Sequence, residues 1–289
     1  MQKLLLLGDE AIAQAALDAG LSGVYAYPGT PSTEIMEYVQ RSKQAEAGNV
    51  HRKWSANEKT AMEAAIGMSY AGKRAIVCMK HVGLNVAADP FMNSAITGAN
   101  GGLIVLVADD PSMHSSQDEQ DSRYYARFAQ IPYVEPSNQQ EAYDLTHFAF
   151  ELSERLHTPV LMRVTTRLAH SRAGVVTRES RPQNEINLCG NPKQFILLPA
   201  NARRQYVELI EKNVEFIKSS ETSGNNKYID GTDKSMGIIA SGIAYNYLME
   251  NYPDRNCPYP VLKITQYPLP TAMIEKMADE CESILVAEE

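Results

Sequence analysis

The sequence predicts an α/β fold: a parallel sheet with helices on both faces, followed by a second, smaller unit of the same class. Three observations predict it. Short apolar runs of strand length alternate with longer stretches of helical periodicity, and a helix between consecutive strands returns the chain to pair in parallel. The chain has 289 residues, more than one ordinary domain, and 44% of them are hydrophobic, enough for a real core. Beyond about Ser171 the alternation breaks and then resumes in shorter elements.

In order, Leu4 to Leu7 reads as a buried strand and Asp9 to Ala19 as a helix ended by Gly20. Val24 to Tyr27 is the next strand, and a helix spans about Glu34 to Gln44. Asn57 is a good N-cap, because its side-chain oxygen can accept a free backbone N–H of the first turn, which places Glu58 at a helix mouth. Behind it Ala61, Ala64, Ala65 and Met68 form a narrow face suited to close packing, and Gly72 stops the helix. Strands follow at Arg74 to Met79, Leu103 to Val107 and Val160 to Val164, with a helix from Gln139 to Leu156 before the last of them. Arg172 to Pro199 holds Pro182, Pro192 and Pro199, lacks periodicity, and reads as a linker wrapping the first domain. Asn201 to Ser219 is a helix that packs through Tyr206, Leu209, Ile210, Val214 and Ile217, and Ser219 to Asn226 is a flexible joint rich in Ser, Gly and Asn. The smaller unit comprises strands at Met236 to Ser241, Val261 to Thr265 and Ser283 to Ala287, with helices at Ile243 to Asn251 and Pro270 to Cys281. The division is therefore residues 1–171, 172–232 and 233–289, the last unit reading as truncated because a strand ends it.

Composition narrows the function. A net charge of −8 without a basic block argues against a nucleic-acid partner. The four cysteines, Cys78, Cys189, Cys257 and Cys281, form no C-x-x-C pair, so no zinc or iron–sulfur site is encoded and free thiols in a reducing cytoplasm are expected. The Leu4 to Leu7 run closes at Gly8-Asp9-Glu10, too short for a signal-peptide core or a membrane span. No G-x-G-x-x-G follows the first strand, which weakens a nicotinamide dehydrogenase reading.

Ligands of parallel sheets bind beyond the carboxyl ends of the strands, so the loops there carry the search. Tyr27-Pro28-Gly29-Thr30-Pro31-Ser32-Thr33-Glu34 offers a glycine for close backbone approach and hydroxyls at a helix start, a seat for an anion or, equally, a proline turn with a cap. Lys80-His81-Val82-Gly83-Leu84-Asn85 puts a cation, an imidazole and an amide on one turn, although lone histidines are usually structural. Asp109 to Asp121 is long and polar, either functional or a solvated crossover; Asp109-Asp110 could pass for a metal site but lacks a third ligand at suitable spacing. Thr165-Thr166-Arg167-Leu168-Ala169-His170 places Arg167 where it could clamp a carboxylate or form a structural ion pair.

Taken together, YPGTPSTEI, WSANEKTAMEAA, GKRAIVCMKHVGLNVAADP, ADDPSMHSSQDEQDSRYYARFAQIP and PVLMRVTTRLAHS closely resemble the thiamine-diphosphate-dependent 2-oxoacid:ferredoxin oxidoreductases, in particular the alpha-subunit branch acting on indolepyruvate. The resemblance is dense over residues 8–171 and weaker beyond, where it matches a transketolase-C-terminal-like domain. It implies that residues 1–171 form the pyrimidine-type thiamine-diphosphate-binding domain, with Tyr27, Pro28, Glu58 and Asn85 at the cofactor. Glu58 falls on the activating glutamate: bonded to a ring nitrogen of the pyrimidine, it favours the imino tautomer that makes the thiazolium carbon nucleophilic. Thr30 matches the position contacting the substrate carboxylate, Lys80, His81 and Asn85 line the pocket wall, and Arg167 joins the substrate-binding set.

The implied reaction is oxidative decarboxylation of a 2-oxoacid, an aryl pyruvate in this branch, with ferredoxin, coenzyme A, a second subunit and a homo-oligomer as partners and no membrane. The family's diphosphate- and magnesium-binding Gly-Asp-Gly motif and its cluster cysteines do not occur in these residues, Gly8-Asp9 being followed by Glu10. Magnesium and iron–sulfur clusters are accordingly expected only in a further portion or a partner, no metal ligand is expected here, and the chain alone is expected not to turn over. A non-catalytic dimerising or regulatory module of the same family is the competing reading.

Overall fold

A computed structural model describes residues 2–191, 193–252 and 254–289; Met1, Pro253 and Pro192, the last counted above within the linker, lie outside the described residues. The first half of the chain runs β1 (Lys3–Leu7), α1 (Gly8–Asp18), β2 (Gly23–Ala26), α2 (Thr33–Arg41), α3 (Lys43–Ala47), β3 (His51–Trp54), α4 (Glu58–Tyr70), β4 (Ala75–Lys80), α5 (His81–Val86), α6 (Ala88–Thr97) and β5 (Leu103–Asp109). It continues through α7 (Arg123–Ala129), β6 (Tyr133–Val134), α8 (Gln139–Leu156), β7 (Val160–Thr165), α9 (Thr166–His170) and β8 (Arg172–Val176). The remainder is α10 (Pro199–Thr222), β9 (Lys227–Ile229), β10 (Gly237–Ser241), α11 (Ala244–Glu250), β11 (Val261–Ile264), β12 (Gln266–Tyr267), α12 (Thr271–Glu280) and β13 (Ile284–Ala287).

Seven strands form the main sheet in the order β12-β6-β7-β5-β4-β2-β3, parallel throughout except for the β12–β6 pair. Its centre consists of the apolar runs read as strands: every residue of β5 and β7, and β4 up to Met79, is buried, as expected where helices cover both faces. The β3 edge escaped the periodicity argument because His51-Arg52-Lys53-Trp54 is polar and half-exposed, as edge strands commonly are. The second sheet, in the order β13-β10-β11-β9, is smaller, with only β9 antiparallel.

Several expectations need correction. Leu4 to Leu7 is not a buried strand of the main sheet. Instead β1 pairs antiparallel with β8 in a separate two-stranded ribbon, which also occupies the start of the supposed linker. Only Leu6 and Val175 of that ribbon are buried, against Ala11, Ala15 and Tyr143, and Leu5 is 68% exposed. The helix predicted over 34–44 breaks at Ser42, whose hydroxyl accepts the N–H of Ala45 and caps α3. Ala64 is exposed, so the packed face of α4 is Ala61, Met62, Ala65, Ile66 and Ser69. In α10 the buried side is Gln205, Leu209, Phe216, Ser219 and Ser220, while Tyr206, Ile210 and Val214 face outward. Polar groups win that face because they are bonded: the Gln205 amide donates to Gln194 O, and Ser219 Oγ accepts from Arg155 and Gln266.

The joint at Ser219–Asn226 is not loose either. Asn226 is buried, accepts the N–H groups of Thr265 (2.7 Å) and Gln266 (2.9 Å), and donates to the carbonyls of Ser220 and Gln266. That latch guides the chain from β11 out of the second sheet and into β12 at the edge of the first, where Tyr267 stacks on Tyr133 with ring centroids 4.3 Å apart. No helix among the described residues is long and apolar enough to cross a membrane.

Candidate functional site

The parallel neighbours β2 and β3 end together at Ala26 and Trp54, and β4, registered against Ala26 at Cys78, runs two residues further in the same direction to Lys80. Three loops therefore leave the same edge of the sheet: Tyr27–Ser32, Ser55–Asn57 and the turn into α5. They carry most of the candidates predicted from sequence.

Glu58 opens α4. Asn57 caps the helix, its side chain accepting the Thr60 N–H at 2.9 Å while Thr60 Oγ1 accepts the Asn57 N–H at 3.3 Å. The half-buried Glu58 carboxyl then lies on α5 at Gly83. A methyl group at residue 83 would stand 2.6 Å from Glu58 Oε1 and 2.8 Å from its Cγ, so the glycine is what admits the carboxyl there. On the other flank, Gly29 comes within ordinary contact distance of the Lys80 side chain, a built Cβ lying 3.4 Å from Lys80 Cβ. The Tyr27–Ser32 loop, α4 and α5 thus form one continuous rim.

Within the rim the candidates divide. Ser32 and Thr33 are committed internally: Ser32 Oγ donates to Gly29 O at 2.9 Å, and Thr33 Oγ1 accepts the Gly29 N–H at 3.1 Å. Of the three hydroxyls read as an anion seat, that leaves Thr30, which is exposed beside Tyr27 and Pro28. Asn85 is exposed and accepts from the Tyr125 hydroxyl through Oδ1, so its amide N–H groups stay free for a ligand. Lys80 Nζ donates to Ser115 O at 2.9 Å. His81 is 1% exposed, with Nε2 3.2 Å from Asp118 Oδ1 and 3.3 Å from its carbonyl, while Nδ1 is buried with no partner. Its position is that of an anchor for the Asp109–Asp121 loop rather than of an open pocket wall.

That loop is tied at its start. Asp110 accepts the Ser115 N–H at 2.8 Å and the hydroxyls of Ser116 and Thr166, each at 2.6 Å. Burial alone would raise its carboxyl, but these bonds outweigh it and hold the group well below the usual carboxylate range. Asp109 turns the other way, into a buried cluster: Arg163 Nε lies 2.6 Å from its Oδ2 and the same guanidinium pairs with Glu135. Burial pushes Asp109 up in spite of the arginine. Asp109-Asp110 is therefore not a metal pair. Arg163 was invisible to the loop argument because it sits inside an apolar strand, where only the tertiary partners identify it.

Arg167 is not brought to the rim. It follows β7, beyond β4 and β5 from β2, its side chain is 61% exposed, and it lies over the Tyr247 ring and 4.0 Å from Glu289. The ion-pair alternative describes it better than a carboxylate clamp.

A cavity of about 530 Å³ between α7, α10 and the second sheet has Arg123, Arg127, Tyr133 and Tyr267 in its wall but none of the predicted site residues. Its Arg123 is already compensated by Asp121 at 2.8 Å and Glu288 at 2.9 Å.

Residues 14–213 match the family described as pyruvate flavodoxin/ferredoxin oxidoreductase, thiamine diP-binding. The chain is 43% identical over its full length to the indolepyruvate oxidoreductase subunit IorA of Archaeoglobus fulgidus, covering 47% of that protein. To the IorA of Pyrococcus horikoshii it is 44% identical, covering 45%. The 2-oxoglutarate synthase subunit KorA of Methanocaldococcus jannaschii is 26% identical over 68% of the chain and 56% of its own length. The chain thus spans about half the length of the curated relatives it matches. The solved 2-oxoglutarate:ferredoxin oxidoreductase of Magnetococcus marinus, with 2-oxoglutarate, coenzyme A and succinyl-CoA bound, aligns with a TM-score of 0.77 at 16% identity over 98% of this chain and 57% of that one. A split-gene transketolase, an inactive beta4 tetramer, aligns at 0.61 with 13% identity over 98% of this chain and 80% of that one. These two likenesses establish the fold.

Proposed function

The chain belongs to the pyruvate flavodoxin/ferredoxin oxidoreductase family of thiamine-diphosphate-binding domains, and from that premise we propose that it supplies the pyrimidine-activating half of an enzyme that oxidatively decarboxylates 2-oxoacids. Indolepyruvate and related aryl pyruvates are the substrate class, following the names of the relatives that match the whole chain. Ferredoxin, coenzyme A and a further subunit or copy complete the cytoplasmic enzyme. In this reading residues 1–171 bind the pyrimidine, 172–232 connect, and 233–289 form a transketolase-C-terminal-like unit.

One observation carries the proposal: the Glu58 carboxyl stands at the mouth of a helix capped by Asn57 and is seated against Gly83, on the rim formed by the loops after β2, β3 and β4. The residues present fit the pyrimidine part of the cofactor, since a carboxyl group is the donor set a ring nitrogen calls for and a Cβ at residue 83 would fill the seat it needs. When bound, thiamine diphosphate supplies the carbon nucleophile for the 2-oxo group. Glu58 would bond to a pyrimidine ring nitrogen through its carboxyl group and pass a proton to and from it. Thr30 donates its hydroxyl to the substrate carboxylate, and Lys80 keeps donors beyond the one spent on Ser115. Through Asp118, His81 holds the Asp109–Asp121 loop over that edge and limits water.

Glu58→Gln in the assembled enzyme tests the reading, with turnover followed as 2-oxoacid- and coenzyme-A-dependent reduction of a low-potential dye. Removing the proton carrier should lower turnover about 10²- to 10⁴-fold with the melting temperature unchanged. Turnover within twofold of the parent would remove Glu58 from the mechanism. A parent assembly with no activity at all would favour the non-catalytic module.

A further inference from the structure

We propose that Asp9, Glu34 and His170 form a divalent-cation site that ties the first turn of α1, the first turn of α2 and the end of α9 together, independently of the thiamine reading. One ligand atom from each lies within 4.8 Å of the other two. His170 Nε2 is 3.4 Å from Glu34 Oε1.

The observation that demands a ligand is Asp9. It is 0% exposed, and neither carboxylate oxygen has a hydrogen-bond partner; Glu34 Oε2 is likewise buried and unpaired. A buried carboxylate without partners is costly, and among the described residues no lysine or arginine lies within ion-pair distance of Asp9 or Glu34. Arg41, the cation in the neighbourhood, is spent on Glu10 at 2.9 Å. Burial, with Glu34 and Glu10 adding repulsion, pushes the Asp9 carboxyl well above its ordinary range. A cation would offset the burial and both repulsions at once.

The donor set selects the class of ion. One imidazole and two carboxylates suit a first-row ion such as Zn²⁺ or Mn²⁺, whereas an all-oxygen set would suit Mg²⁺ or Ca²⁺. Ligands at ~2.1 Å around a tetrahedral ion stand about 3.4 Å apart. The His170–Glu34 pair already has that separation, and the Asp9 oxygen, within 4.8 Å of both partners, has at most about 1.4 Å to close. The His170 side chain is 35% exposed and opens the path from solvent. Because Glu34 lies in the first turn of α2, two residues past the Tyr27–Ser32 loop, the ion would brace the base of the loop that presents Thr30.

The test is calorimetric titration of the chelator-stripped full chain with ZnCl₂ and MnCl₂, with MgCl₂ as the control, alongside thermal melts. One equivalent of Zn²⁺ or Mn²⁺ should bind and raise the melting temperature. Loss of an outer-shell partner alone costs 10- to 100-fold in metal affinity, so Asp9→Asn and His170→Ala should each weaken binding at least about tenfold. His170→Ala removes an exposed ligand at the end of α9, and keeps the test decisive if Asp9→Asn fails to fold. Absence of stoichiometric binding to the parent, or equal binding by both variants, would overturn the site. Stabilisation by Asp9→Asn that is the same with and without Zn²⁺ would also overturn it, assigning the pair to a shared proton instead.

Discussion

Replacing Gly83 with alanine separates the position of the Glu58 carboxyl from its presence. The added Cβ would lie 2.6 Å from Glu58 Oε1, 2.8 Å from Cγ and 3.0 Å from Cδ, where ordinary contact needs at least 3.4 Å. The carboxyl must therefore move by close to an ångström, and being half-buried it has solvent to move into. Leaving its rotamer costs about 0.5–1.5 kcal/mol. Alanine returns up to about 1 kcal/mol of helix propensity in α5, and residue 83 has no positive φ to forbid it. Net stability should change by less than about 1 kcal/mol, within roughly 4 °C of melting temperature for a chain of this size. An ångström of misplacement in a reacting group, by contrast, can cost about 10²-fold in rate. The assay is dye-linked 2-oxoacid oxidation by the assembled enzyme with a parallel melt. A variant with parent turnover would refute the claim that this contact sets the reacting geometry, and one that unfolds would show the glycine to be a packing requirement.

Arg163→Ala should cost about 3–5 kcal/mol in urea unfolding, because it strands Asp109 and Glu135 as buried carboxylates; a loss below 1 kcal/mol would mean that water reaches them. Asp110→Asn should free the loop after β5, and limited proteolysis between residues 112 and 120 should accelerate several-fold. In the parent the Asp110 carboxyl is held below its ordinary range, so the anchor is present above that range and lost only as pH falls through the depressed value. Cleavage of the parent should accordingly be flat from pH 8 to pH 5, and a rise within that window would contradict the assignment.

Much of the site was legible because its signals are local. A capping asparagine, an acidic first turn and a glycine stop lie within one helix, and Asn57, Glu58 and Gly72 behave as those short-range rules require. Helix α8 runs from Gln139 to Leu156 as predicted, since Asn138 caps it and its amphipathic period is unbroken. Where the reading failed, a long-range partner had reversed a local preference. Asn226 looked like linker composition until its side chain was found to satisfy Thr265 and Gln266. Tyr206, Ile210 and Val214 outrank Gln205 in hydrophobicity, yet Gln205 is the buried one because a carbonyl awaits it.

By itself, then, the sequence determined the alternation of strands and helices, the parallel core sheet and the helix mouth that presents Glu58, all of which follow from periodicity and capping over a few residues. Only the tertiary structure decided that β2, β3 and β4 are neighbours, and hence that loops about 25 residues apart in sequence meet on one rim. It also set Gly83 under Glu58, Arg163 between two carboxylates, and Asp9, Glu34 and His170 within reach of one another. Such meetings depend on strand order and helix packing, which no local pattern encodes, so the chemistry they permit appears only once the chain has folded.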